Sequence, residues 1–234
     1  MVLEKERIVA NTKKYFDTAT KLGFMTEELI TFLGEDFIKA PASTMADLHN
    51  AFEGGLVEHL LTVAKYAVLV NKSLPDDEKV DQDSLLKVCL LHQIGKAKLY
   101  KPCESEWHRT NIGKMYEFND DMVSMRVAER SIYYATSHGV TFTEEEYVAI
   151  LNADKTDDKM STYHNSMLGE LLKLGSILAV KSEQKKKWWI LNQWERKHCC
   201  LWTQNLDTHK KTSTMNLVVL YLICKLRLTM ITVR

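Results

Sequence analysis

Residues His49 to Lys96 read HNAFEGGLVEHLLTVAKYAVLVNKSLPDDEKVDQDSLLKVCLLHQIGK, and they hold two apolar runs with a histidine inside each. In the first, Leu56, His59, Leu60, Val63, Ala67 and Val70 recur at helical spacing, and Leu61, Ala64 and Val68 widen the stripe. In the second, Leu85, Leu86, Cys89, Leu90 and Ile94 leave little polar face. Helices apolar over so much of their girth belong at the centre of a domain. Ser73 to Asp77 breaks the first run, Asp83 is the expected cap of the second, and Gly95 the expected close. A histidine on such a face is either a hydrogen-bonded core residue or a metal ligand, and two packed helices can aim two imidazoles at one ion. Glycines at 54 and 55 point to a helix entry or a close backbone approach.

Outward from this centre the chain reads as helical. Residues 3–22 form an amphipathic helix ended by Gly23, and Thr26 caps a second that runs to about Leu33. Asp36 to Ala51, with Pro41, reads as an irregular connector, and Tyr100 to Asn119 as a long loop flanking any site. Further helices are expected over Asp121 to Thr136, from Thr143-Glu144-Glu145-Glu146 to about Ala153, and within Met160 to Val180, where Gly169 and Gly175 allow close packing. No convincing alternating strand interrupts residues 1–180. The expected fold is therefore an all-α bundle, with N-terminal helices at 1–35, a central domain at 36–181 and a basic, Trp-rich appendage at 182–234.

Charge names no partner by itself: 31 Lys and Arg balance 31 Asp and Glu. The distribution is uneven, because residues 181–234 carry 11 basic and 3 acidic residues, +8 against −8 for the rest. Such a tail leans on nucleic acid or an anionic surface, or neutralises its own acidic domain. The cysteines (89, 103, 199, 200, 224) are odd in number and form no Cys-x-x-Cys pair, and no charged-then-apolar leader opens the sequence, so a reduced cytoplasmic setting is expected. Residues 215–233, MNLVVLYLICKLRLTMITV, approach membrane-spanning length, but Lys225 and Arg227 near their middle argue against a span. A protein partner for residues 188–234 is one reading of that tail. No Gly-rich phosphate loop, Ser-His-Asp arrangement or zinc-ribbon spacing is present.

Gly54-Gly55-Leu56-Val57-Glu58-His59 and His92-Gln93-Ile94-Gly95-Lys96 together resemble the HD superfamily of metal-dependent phosphohydrolases. With Ala40-Pro41-Ala42-Ser43 and His49 to Gly55, the wording is most similar to a subgroup of bacterial 3′–5′ exoribonucleases and related phage proteins. The resemblance spans about Phe32 to Lys181 and weakens after Asp120. It implies a helical metal-binding domain, with His59, His92 and His138 as metal ligands and a divalent ion (Mn, Fe, Zn or Mg) as cofactor. Lys96 matches the lysine of the family phrase and would contact a phosphate, or else satisfy carbonyls at a helix end. His49, Arg109 and Lys114 are candidates for touching substrate, with solvated surface positions as the alternative.

Three departures qualify what the resemblance implies. Gln93 stands where the family has the Asp that follows its His. Ala153 falls near a further expected His, and about Ser176 stands where a last metal-binding Asp belongs, with no acid from Leu171 to Lys181. An amide at 93 is neutral and a weak ligand, so the expectation is a degenerate HD domain with weak or absent hydrolysis, a pseudoenzyme that binds a nucleotide, nucleic acid or protein. The alternative is an active hydrolase using a His-rich site, since three neutral histidines with water make a hydrolytic zinc site. A third reading is an interaction protein working through its tail.

Overall fold

The computed structural model describes residues 2–154 and 165–184. Expectations for the tail beyond 184, including its Trp cluster and partner surface, lie outside the described residues.

Helix α1 (Val2–Lys21) is followed by α2 (Glu27–Lys39), whose start Thr26 caps as expected: its Oγ accepts the Leu29 amide at 3.1 Å. The second helix runs past Leu33. Gly34, at φ 47 and ψ −146, absorbs a kink, and one further stretch delivers Phe37 into the core beside Tyr15. Tyr15 spans the interior and donates its hydroxyl to the Leu90 carbonyl at 2.9 Å.

The irregular connector starts only at Ala40. Its backbone is stitched onto the next helix, with the Leu56 amide donating to the Ala40 carbonyl at 2.9 Å and the Ala42 amide to Asn50 at 3.1 Å. Gly54 turns left-handed at φ 78, and Gly55 sits so close that a Cβ there would lie 2.1 Å from the Asn50 carbonyl oxygen. Only glycine permits that approach. Helix α3 (Gly55–Ser73) then buries Leu56, Val57, His59, Leu60, Val63 and Ala67. Asp81, rather than Asp83, caps α4 (Gln82–Leu91) by accepting the Ser84 amide at 2.8 Å.

Helix α4 ends at Leu91, one turn before the expected close, and a 3₁₀ turn (Ile94–Lys96) follows. The reason lies across the core. The Gly95 amide donates to Ser131 Oγ at 2.9 Å, and a Cβ on Gly95 would meet the Val127 carbonyl oxygen at 2.7 Å. The expected loop at 100–119 contains a small antiparallel sheet, β1 (Tyr100–Pro102) with β2 (Tyr116–Phe118), paired Tyr100 to Phe118 and Pro102 to Tyr116. A π-helical turn (His108–Ile112) fills the connection.

Helix α5 (Val127–Ser137) starts later than the sequence suggests, and α6 (Glu144–Leu151) opens on a capping box between Thr143 and Glu146. Residues 167–184 form α7, which lies against α3 so closely that a Cβ on Gly175 would be 2.9 Å from the Ala67 methyl. The helix passes the expected end at Val180, and the compact unit closes at Lys185. Among the described residues the architecture is all-α apart from one two-stranded sheet. Among the described residues no helix is long and apolar enough to cross a membrane.

Replacing Gly95 with Ala forces backbone against backbone where α5 meets the 3₁₀ turn, and is expected to lower unfolding free energy by about 1–3 kcal/mol. Urea denaturation of Gly95→Ala beside Gly23→Ala checks this. At Gly23 a Cβ meets nothing within 4 Å but the backbone is left-handed, so its cost isolates conformational strain from crowding.

Candidate metal centre

Three imidazoles converge from three segments. His59 lies in the second turn of α3 and is wholly buried. Its Nδ1 is 3.0 Å from Glu183 Oε2 and 3.2 Å from Oε1, a contact joining α3 to the end of α7. His92 follows α4 and is 1% exposed, with Nδ1 2.8 Å from the Cys89 carbonyl oxygen. His49 comes from the connector, where Ser43 donates its hydroxyl to the His49 carbonyl at 2.6 Å. The His49 and His59 rings are 4.7 Å apart and the His59 and His92 rings 6.4 Å.

Protonation follows from the partners. A carbonyl oxygen only accepts, so the Cys89 carbonyl requires the proton on His92 Nδ1 and leaves the lone pair on Nε2. The Glu183 carboxylate does the same for a neutral His59. Burial pushes His59 down to about 3, with the Lys96 ammonium acting in the same direction. His92 is likewise pushed down to about 3 by burial and then by His59. For His49 burial, with His59 and Lys96, gives about 4, against the opposing pull of Glu183. All three rings are therefore neutral at pH 7. Their Nε2 atoms are buried and find no hydrogen-bond partner.

Buried polar atoms without partners are costly, and a cluster of them in one place needs a reason. Lone pairs on neutral imidazoles beside a carboxylate form the donor set of a transition-metal site. His49, His59 and Glu183 each place a ligand atom within 4.8 Å of the others, so this group can hold a metal ion. A carboxylate on the far nitrogen of a ligating imidazole is equally suited to fix its tautomer and orientation.

Lys96 borders the cluster. Its Nζ donates to the Ala42 carbonyl at 2.7 Å and to Gln93 Oε1 at 2.9 Å. Burial lowers it to about 8, while Asp154 and Glu183 act in the opposite sense. Gln93, 8% exposed, is thus a partner of Lys96. A cleft of about 560 Å³ borders the segments that carry Lys96 and His49, lined in part by Pro41, Ala97, Lys98, Tyr100, Tyr116 and Met122.

The remaining candidates sit elsewhere. His138 ends α5, donates through Nδ1 to the Tyr134 carbonyl at 2.7 Å, and stacks on Phe32 at 4.2 Å. It is outside the group that can hold an ion, because the end of α5 packs its ring on α2 instead. Arg109 is exposed on the π-helical turn, and Lys114 lies 3.7 Å from Glu117. The backbone around Lys114 has a structural part: the Met115 amide donates to Thr44 and the Ala46 amide to Gly113, which pins the connector bearing His49.

Glu183 was missed by sequence reasoning, which looked for an acid near Ser176 and stopped at Lys181. The signal was present. Leu168, Leu172 and Ala179 are buried at helical spacing, and Glu183 continues that stripe as its one carboxylate. Comparison of the chain with protein-family models, with curated proteins and with solved structures gives no match.

The depressed histidines set a pH dependence. An unfolded chain protonates them near 6.5, whereas the fold resists until about 3 to 4, so the unfolded state binds more protons in between. Their contribution is fully present above about pH 6.5 and is lost progressively as pH falls. In chelator, stability is expected to drop steeply from pH 6.5 to 4.5, and His92→Gln to flatten that slope by up to one proton, measured by urea denaturation at stepped pH.

Proposed function

We propose that this chain is an HD-like domain that holds one divalent transition-metal ion through His49, His59 and Glu183, with His92 beside them. On this reading it recognises a phosphate ester of nucleotide or nucleic-acid type and turns it over weakly or not at all. The carrying observation is the set of three buried, unpartnered imidazole Nε2 atoms, with the buried Glu183 carboxylate 3.0 Å from His59 and within ligand-sharing distance of His49. Nitrogen donors with a single carboxylate favour zinc, iron(II) or manganese over magnesium, which prefers all-oxygen shells. When bound, such an ion supplies Lewis acidity and a water of lowered pKa.

The chain's own residues account for recognition. Lys96 has two neutral oxygen acceptors and three ammonium hydrogens, which leaves one N–H for a phosphoryl oxygen. Gln93 holds that ammonium in place without neutralising it. The same amide adds no negative charge to the centre, and that loss supports weak turnover. The competing reading, an active hydrolase, draws support from His49 and Glu183. They supply donors that positions 93, 153 and 176 withhold, and two histidines, one glutamate and water make a hydrolytic set.

Metal analysis by mass spectrometry on the full chain is expected to find about one transition-metal ion per molecule, lost in His59→Ala and in Glu183→Gln. Finding no metal under zinc, iron or manganese loading would overturn the reading. Hydrolysis of bis(p-nitrophenyl) phosphate by the loaded protein decides between the two versions: the binding module is expected to stay near background and to gain activity in Gln93→Asp. Robust turnover by the unmodified chain would establish the hydrolase.

A further inference from the structure

Arg130, in the first turns of α5, is 4% exposed. A guanidinium keeps its charge under all ordinary conditions, so burying it without an anion is expensive. Its Nη2 donates to the Val123 carbonyl at 2.5 Å, while its Nε is buried with no acceptor. Among the described residues no carboxylate forms an ion pair with it. The nearest charged pair on the same helix, Arg126 with Glu129 at 3.6 Å, is half-exposed and self-contained.

The backbone beside it is unsatisfied too. Arg126, the N-cap of α5, makes no side-chain capping bond. Ala128 in the first turn is fully buried, and its amide finds no acceptor among the described residues. Ser131, which might have filled the gap, is turned the other way: its Oγ donates to the Val127 carbonyl and accepts the Gly95 amide. The bond to Val123, which precedes the helix, places the guanidinium at the positive end of the α5 dipole.

A buried uncompensated cation, a buried amide without an acceptor and an uncapped helix start therefore coincide. We infer that the N-terminus of α5 is a binding site for an oxyanion, of phosphate or sulfate type, centred on Arg130 Nε and the Ala128 amide. A water molecule would accept the same hydrogen bonds but leave the charge uncompensated, which is why an anion is the better occupant. The site is separate from the histidine cluster and does not depend on its occupation. The anion is either a free ion or the phosphoryl group of a larger ligand. Asn119 and Met122, which line the adjoining cleft, lead directly into Val123, so such a ligand has room beside the site.

The test is thermal denaturation of the full chain in chelator, titrated with inorganic phosphate at constant ionic strength. A saturable rise in Tm with phosphate and with sulfate, absent with chloride, is expected. Arg130→Met should lose this response while remaining folded in phosphate-free buffer, because it removes an unpaired buried charge. Should that variant not fold, Arg130→Lys keeps the charge but lacks the Nε donor, and binding about tenfold weaker or more is expected. Lys72→Met, which removes an exposed charge at the end of α3, should leave the response intact. No saturable response in the unmodified chain, unaltered binding in Arg130→Lys, or a retained response in folded Arg130→Met would each overturn the assignment. Failure here leaves the metal reading standing, since chelator removes that centre from the measurement.

Discussion

Much of this molecule turns on a buried imidazole meeting a buried carboxylate. His59 sits near the start of the core helix α3, wholly buried, where a polar ring is tolerated only if its nitrogens are partnered. Glu183 satisfies one of them across 124 residues of sequence. That contact holds the end of α7 against α3, with Gly175 allowing the backbones to approach. It also fixes the ring beside His49, with the remaining nitrogen buried and unpartnered. One polar demand in the core thus ties together a helix contact, a tautomer and a donor atom.

Close backbone approach is the second organising constraint. Gly55 and Gly95 bracket the motif-bearing segment, and each is in contact with main chain where a methyl would collide. The first lets the connector fold back so that His49 reaches the cluster. The second brings the 3₁₀ turn onto α5, which fixes where Lys96 leaves the helix and lets it reach both Ala42 and Gln93. The glycines of the HD-like wording are therefore packing requirements here, whatever chemistry the site performs. Gln93 follows from the same geometry: an amide able to accept from Lys96 is stable where a carboxylate would instead have paired with it.

The histidine cluster and the start of α5 both leave buried donors or acceptors without partners, and they differ in sign. The histidine cluster presents lone pairs and suits a cation. The start of α5 presents a guanidinium and an amide hydrogen and suits an anion. A buried charge can equally be paired within the fold, as with Lys87, which reaches Glu146 at 2.6 Å and the Thr141 carbonyl at 2.7 Å. Thr12 Oγ1 and Asn165 Oδ1 also lack partners, each a single neutral atom; several unsatisfied groups gathered at one place with matching chemistry are more simply read as a binding position than as packing faults.

Local pattern was enough for the helices of the centre, the caps at Thr26 and Thr143, and the apolar faces on which His59 and His92 lie. Each depends on neighbours within a turn or two, where periodicity and capping chemistry operate. The small sheet within 100–119 was not legible, because three-residue strands carry too little alternation to stand out. Nor was the grouping of side chains, in which His138 stacks on Phe32 while Glu183 comes to lie beside His49 and His59. Those outcomes depend on the angle at which the connector turns at Gly54 and on the length by which α7 overruns Val180. Arg130 likewise looked like an ordinary helix residue until packing closed over it. Sequence specified which segments are helical and which faces are apolar; which distant side chains share a site was decided by helix packing and loop geometry, because convergence is a property of the whole fold and leaves no local periodic trace.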